Sequence, residues 1–133
     1  MRLPSIRIPG LRVGSFQLTL TGMSATTTMF VDFLRIGPFV ALFFRGATGT
    51  SNANTMTGTT IPQYLRPSRA FSAYGPTYDN GTDSGRRIDV ATTGVITFNN
   101  ADEGAGGNTA FTSSGIKGTA AFSICYLINE FVG

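Results

Sequence analysis

Few side chains in this sequence could carry acid–base, nucleophilic or metal chemistry. The 133 residues include no His, one Cys and seven acidic residues, and only 13% of them are charged. A Ser-His-Asp arrangement requires His, a structural zinc site requires several Cys or His ligands, and a disulfide framework requires paired Cys. The composition therefore excludes these three chemistries within one chain.

The acidic residues do not form a metal or catalytic motif. In residues 79–83 a Gly stands third, where a calcium loop needs an oxygen ligand, and Val90 stands where a bidentate Glu would close the loop. Glycoside hydrolysis needs two carboxylates at a fixed separation, and the sequence alone does not pair Asp32, Asp89 and Glu130. We expect no catalytic residue, no metal and no cofactor, with a glycan-degrading enzyme as the alternative.

Three aromatic side chains are candidates for binding. Tyr64, Tyr74 and Tyr78 lie at or near predicted loops, where rings can stack against the faces of sugars. Tyr also packs commonly at strand ends, so a structural role is the alternative. The single thiol, Cys125, lies within a predicted strand, and we expect it to be buried or half-buried and unreactive.

The N-terminal residues repeat with a period of five. Each unit reads Arg, aliphatic, Pro or Gly, small, apolar, and Pro4 and Pro9 prevent a helix or a central strand. The pattern predicts an extended anchoring arm over residues 1–13, docked on another protein, and a domain over residues 14–133. A disordered tail is the alternative. The anchoring residues that we expect are Arg2, Leu3, Ile6, Arg7, Ile8, Leu11 and Arg12.

The segment 39–44 is apolar on both faces of its predicted strand. Phe39, Ala41 and Phe43 alternate with Val40, Leu42 and Phe44. An antiparallel strand usually has one face in water, so a two-faced strand must be covered twice. One face is expected to meet the core and the other a second subunit, and the sequence does not say which. The residues predicted for the core or the interface are Phe39, Val40, Leu42, Phe43 and Phe44.

The rest of the chain reads as short strands joined by Gly-rich segments. Period-two alternation marks strands at residues 15–21, 28–36, 70–78 and 118–128, and a hairpin joins residues 87–90 to 95–99. Residues 46–60 read as a long loop with at most one short strand, and residues 61–67 as an extended crossing. We predict an all-β protein, an antiparallel β-sandwich (jelly roll) of about eight strands.

The ordered succession of several segments resembles the jelly-roll modules of tailed-bacteriophage virion proteins, which occur in tail and head fibre tips and baseplate receptor-binding proteins. The resemblance covers roughly residues 14–128. The matching segments are GSFQLTLT at 14–21, residues 30–40 with RIG at 35–37, GTSN at 49–52, IPQYLRP at 61–67, DNG at 79–81 followed by TGVITF at 93–98, and FTSSGIKG at 111–118 followed by FSICY at 122–126.

This resemblance implies a homotrimeric protein on the virion surface, assembled in the bacterial host cytoplasm. The function expected is that of a small structural protein that decorates the capsid or tail, or serves as a head or tail fibre, attached through its arm to capsid, neck or tail proteins. The alternative is a receptor-binding tip that recognises a host surface glycan. We expect no nucleic-acid partner, because the basic residues are scattered, and no membrane insertion, because no apolar run approaches about 20 residues.

Overall fold

In the part of the chain that the structure describes, alternation of apolar and polar side chains produces ten strands, and one short 3-10 helix lies between the fifth and sixth of them. The computed structural model describes residues 10–99 and 111–128, except for the side chains of residues 82–86. The strands are β1 (Leu11–Leu20), β2 (Thr27–Ile36), β3 (Phe39–Phe44), β4 (Ala47–Thr50), β5 (Met56–Gly58), β6 (Phe71–Asp79), β7 (Thr82–Val90), β8 (Ile96–Phe98), β9 (Ile116–Thr119) and β10 (Phe122–Leu127). The 3-10 helix, η1, spans Gln63–Leu65. Within the described ranges, no helix is long and apolar enough to cross a membrane.

Strands β1, β2 and β3 form an antiparallel meander. β1 pairs with β2 along its whole length, from Leu11 opposite Ile36 to Leu20 opposite Thr27. The turn between β2 and β3 contains Gly37, whose φ of +53° lies in the left-handed region. The first strand begins earlier than the alternation predicted, because Leu11, Arg12 and Val13 contain no Pro and their backbones can pair with β2.

Two further hairpins follow from turn chemistry. Asn80 and Gly81 have φ values of +47° and +88° and join β6 to β7 as a two-residue loop of the type that suits the strand twist. Strand β7 therefore begins at Thr82, directly after this two-residue loop. The predicted hairpin of β7 and β8 is confirmed, with Ile88 opposite Phe98.

The ten strands form one antiparallel sheet in the order β10-β3-β2-β1-β5-β8-β7-β6-β9-β4. The sheet curls, so that rings from distant strands meet across its inner face. Phe122 of β10 stacks on Phe44 at a centroid distance of 4.3 Å and meets Phe98 of β8 edge-on at 6.5 Å. Phe71 of β6 lies 5.3 Å from Tyr126 of β10. The prediction of an all-β fold is confirmed, whereas a two-sheet jelly roll of about eight strands is not.

Curling decides which face of β3 is covered by the core. Val40, Leu42 and Phe44 are at most 2% exposed, whereas Phe39 and Phe43 are 38% and 49% exposed on the outer face. The prediction of a strand with two apolar faces is thus confirmed. The rest of the core consists of the inward side chains of the other strands together with Ile61 and Leu65 from the crossing segment, among them Leu18, Met29, Val31, Met56, Ile88, Val90, Ile96, Phe98 and Ile124.

A buried ammonium group holds the segment after β4 against β9. The side chain of Lys117 is fully buried, and its Nζ donates hydrogen bonds to the carbonyl oxygens of Ala53 and Thr55 at 2.7 and 2.8 Å. Its Nζ also lies 5.5 Å from the centre of the Phe111 ring. Burial lowers the pKa of this amine, and the charge of Asp79 partly offsets that effect. Lys117 therefore fixes a segment that the sequence presented as a plain loop.

Candidate glycan-binding face

The outer face of strands β6, β7 and β8 carries a cluster of polar side chains with one exposed aromatic ring. The inward residues Ile88, Val90 and Ile96 are buried, and alternation therefore places their neighbours on the outer face. The register sets Ser72 opposite Asp89 and Tyr74 opposite Arg87. We call this set the polar cluster: Ser72, Tyr74, Arg87, Asp89, Thr97 and Asn99.

The Asp89 carboxylate is the centre of the polar cluster. Ser72 Oγ donates to its Oδ1 at 2.6 Å, and Asn99 Nδ2 donates to its Oδ2 at 2.9 Å. Arg87 Nε lies 3.2 Å from Oδ1. These partners come from three different chain segments and hold the carboxylate in one orientation, so its remaining acceptor positions have a defined direction.

The Asp89 carboxylate stays ionised at neutral pH. Burial is the largest influence and raises its pKa, but the hydrogen bonds from Ser72 and Asn99 and the charge of Arg87 together outweigh burial, so the pKa lies below its ordinary value. The cluster therefore presents an acceptor that carries a full charge, next to the hydroxyl groups of Ser72 and Thr97.

A shallow open depression of about 290 Å³ lies beside this carboxylate. Its wall includes Phe71, Ser72, Asp89, Ala91 and Thr97. The ring of Tyr74, which is 58% exposed, stands two residues further along β6 on the same face as Ser72. A concave surface with a few convergent polar groups and an aromatic edge is typical of a small-ligand site.

The structure separates the three tyrosines that the sequence singled out. Tyr78 lies four residues beyond Tyr74 on the same face of β6, about 13 Å away along an extended strand. Tyr64 lies instead on η1, where the guanidinium of Arg12 covers its ring at 5.1 Å and Phe33 meets it edge-on at 5.8 Å. We therefore assign only Tyr74 and Tyr78 to the candidate face.

The acidic residues considered for catalysis do not come together in the described part of the chain. Asp32 lies on β2 and pairs with Arg45, whereas Asp89 lies on β7 and is held by Ser72 and Asn99, with three strands between β2 and β7 in the sheet. Glycoside hydrolysis needs two carboxylates that face one substrate across roughly 5–9.5 Å, and these two carboxylates belong to separate hydrogen-bonded groups. Glu130 lies outside the described residues. Among the residues that are described, no group of three His, Cys, Asp or Glu side chains could hold a metal ion.

The predicted anchoring residues fall mostly outside the described part of the chain. Arg2, Leu3, Ile6, Arg7 and Ile8 are not described. The other two lie in β1, where Leu11 is 38% exposed and Arg12 contacts Tyr64.

The predicted burial of Cys125 is wrong, because this residue is exposed. The neighbouring Ile124 and Tyr126 are buried on the inner face of β10, and alternation therefore turns Cys125 outward.

Five members of the polar cluster were not predicted as binding residues from the sequence. The predicted hairpin already placed Ile88, Val90, Ile96 and Phe98 on one side, and the same alternation puts Arg87, Asp89, Thr97 and Asn99 together on the other. That signal was present in the sequence. The contribution of Ser72 required the pairing of β6 with β7, which the sequence did not specify.

Comparison with known proteins finds a likeness in fold to a solved structure. No family model matches the sequence, and no curated protein matches it. Among solved structures, the fold is similar to that of the reovirus attachment protein sigma1, crystallised in complex with alpha-2,3-sialyllactose. The TM-score is 0.55 at 18% sequence identity, and the match covers 97% of this chain and 80% of that chain. The likeness shows that the two chains share a fold.

Proposed function

We propose that this chain is a non-enzymatic structural protein on the surface of a tailed-bacteriophage virion, and that its polar cluster contacts a glycan of the host cell surface. In this proposal the protein is a homotrimer, assembled in the bacterial host cytoplasm and attached to capsid, neck or tail proteins by its N-terminal residues. The observation that carries the glycan contact is the grouping of Asp89, Asn99 and the exposed Tyr74 on one outer face.

The chemistry of the polar cluster suits a sugar. A carboxylate has about four acceptor positions, and the protein partners of Asp89 use three of them at most. A sugar hydroxyl can donate to the remaining position while the hydroxyl of Thr97 binds a neighbouring hydroxyl, and Asn99 holds the carboxylate in place. The Tyr74 ring offers a flat apolar surface to the C–H face of the sugar, in the way that aromatic rings pack on apolar groups.

The fold likeness supports a role in attachment. The similar protein is described as a viral attachment protein, and it was crystallised with a sialylated oligosaccharide. In our proposal this chain has the same kind of role on a different virion. The resemblance of its segments to bacteriophage fibre and baseplate modules supports the tailed-phage assignment and the trimer.

Binding of the purified full-length protein to a printed panel of neutral and acidic oligosaccharides, including alpha-2,3-sialyllactose, tests the glycan contact. Tyr74→Ala should weaken binding about two- to tenfold, because a packed ring contributes about 0.5–1.5 kcal/mol. Tyr74→Phe keeps the ring and should bind nearly as well as the wild type. Asp89→Asn should abolish measurable binding, since the amide can no longer accept at both oxygens. Binding by none of the panel, or equal binding by all variants, contradicts the proposed site.

Attachment to the virion is tested by deleting residues 1–9, which leaves the whole of β1 in place. The shortened protein should keep its far-UV circular dichroism spectrum and lose its binding to particles that lack the wild-type protein. Retained binding contradicts the anchoring role. Release of reducing ends from host polysaccharide would instead favour the glycan-degrading alternative.

A further inference from the structure

The outer face of strands β10, β3, β2 and β1 is apolar over two complete rows. The pairing registers place the outward side chains of the four strands side by side. The first row holds Leu127, Phe39, Ile36 and Leu11, and the second holds Cys125, Ala41, Leu34 and Val13. Phe43 and Phe30 extend this surface toward the other end of the strands. We call this surface the apolar face.

Several of these side chains are strongly exposed. Val13 is 68% exposed, Leu127 65%, Phe43 49% and Phe30 45%, and Leu11, Phe39 and Ile36 are each 37–38% exposed. With usual side-chain areas, these seven residues present roughly 650 Å² of apolar surface, more than the 300–600 Å² of the largest patch on a typical monomer. A standard protein–protein interface buries about 800 Å² on each partner, so the apolar face is large enough to form most of one.

The charges on the apolar face favour a second copy of the same chain as the partner. Of the described outward residues on these four strands and immediately after β3, only Asp32 and Arg45 are charged. They pair with each other in a bidentate contact, with Arg45 Nε and Nη2 at 2.9 and 2.8 Å from the two carboxylate oxygens. The face is therefore neutral, and two identical faces do not repel each other. A partner of strong net charge would find no complementary charge here.

We propose that the apolar face is the surface through which copies of this chain associate. The inference rests on the homotrimer of the proposed function and deepens it by naming the interface. In this arrangement the two-faced strand β3 packs its inner side chains on the core of its own subunit and its outer side chains, Phe39 and Phe43, on a neighbouring subunit. The polar cluster lies on other strands and stays free for a ligand.

The test compares the full-length wild type with Phe43→Asp and Leu127→Asp by light scattering over a range of micromolar concentrations. The matched control is Ile116→Asp, since Ile116 is also strongly exposed, at 52%, but lies on β9. We expect an oligomeric wild type, an oligomeric control, and a dissociation constant raised at least tenfold in the two face variants. Circular dichroism and the urea midpoint should show that these variants remain folded. If Phe43→Asp does not fold, Leu127→Asp at the sheet edge carries the test.

Alkylation of Cys125 gives an independent readout, because its thiol lies in the second row of the apolar face. A maleimide should react several times more slowly with the wild-type oligomer than with the Phe43→Asp protein. Slow reaction in the oligomer and fast reaction in the dissociated variant support the inference.

The outcomes separate this inference from the proposed function. If the oligomer persists in both face variants, or dissociates only in Ile116→Asp, the apolar face is not the interface. Either result is still compatible with the trimer of the proposed function. A monomeric wild type overturns both the face and the trimer, whereas glycan binding is decided by the oligosaccharide panel. A wild type that becomes oligomeric only after residues 1–9 are deleted also overturns the inference, because the chain's own N-terminal residues then cover the face.

Discussion

Replacing Lys117 by Met should destabilise the fold substantially, although the residue is not a member of the polar cluster. Met keeps the length and apolar stem of the side chain but removes both donors to the carbonyl oxygens of Ala53 and Thr55. A hydrogen bond from a charged donor contributes about 1.5–3 kcal/mol. Removing the ammonium also ends the cost of its burial, which is the main cause of its lowered pKa. The expected net loss in the free energy of unfolding is about 2–4 kcal/mol.

The measurement is urea unfolding at one fixed protein concentration. The chain has four Tyr and no Trp, so circular dichroism and Tyr fluorescence are the suitable probes. With a slope of about 2 kcal/mol per molar urea, in the middle of the usual range for small proteins, the midpoint should fall by about 1–2 M. Arg69→Met is the control for loss of an exposed cation and should leave the midpoint nearly unchanged.

Hydrogen exchange shows whether the loss arises where the structure places it. The amides of Asn52 and Phe111 donate to Gly22 and Asn54 and hold the same segments together. They should exchange faster in the Lys117→Met protein than amides of the β2–β3 pair, because local opening costs less than global unfolding. The reasoning would be refuted if the free energy of unfolding of the Lys117→Met protein were within about 0.5 kcal/mol of the wild-type value. It would also be refuted if hydrogen exchange were accelerated equally at all amides.

Two further predictions concern stability. The Tyr126 phenol donates a hydrogen bond to the carbonyl oxygen of Leu65, and burial raises its pKa. Its contribution to the free energy of unfolding is therefore complete below the unfolded-state pKa of about 10 and is lost as the pH rises above that value. Tyr126→Phe should cost about 1 kcal/mol at pH 7 and make the decline in stability above pH 10 less steep; an unchanged decline contradicts this assignment. Gly22→Ala should cost about 2 kcal/mol or more, because φ is +77° and the new Cβ would lie 2.1 Å from the oxygen of Thr55. Gly37→Ala is the control, because its φ is +53° and no atom lies within 4 Å of the new Cβ, and it should cost only about 1 kcal/mol. If thermal melts show equal losses of stability for the two variants, the contact with the oxygen of Thr55 does not matter.

Local patterns were sufficient to predict most strands, their inward residues and the hairpin of β7 and β8. Alternation along β2 and β3 and the left-handed preference of Asn80-Gly81 act over a few residues and need no distant partner. Patterns failed where the partner was distant. Strands β4 and β5 were not predicted individually because they are short and polar, and their pairing with β9 and β8 supplies the backbone hydrogen bonds.

The candidate site shows the same division. The aromatic residue Tyr74 was identified from its type, and the carboxylate of Asp89 was noted but could not be paired with any group. Its contacts with Ser72 and Asn99 exist only because β6, β7 and the residue after β8 lie side by side. Hydrogen bonds of this kind depend on the order of the strands in the sheet. The spacing of residues along the chain does not determine that order.

The sequence by itself determined an all-β chain without His, with a single thiol and with one strand, β3, that is apolar on both faces. The tertiary structure alone decided which of these faces is outside. Period-two alternation makes the two faces of a strand equivalent, and only the direction in which the sheet curls selects Val40, Leu42 and Phe44 for the core. The same curvature leaves Phe39 and Phe43 on the outer surface, and it brings Lys117 to carbonyl groups 64 and 62 residues away along the chain.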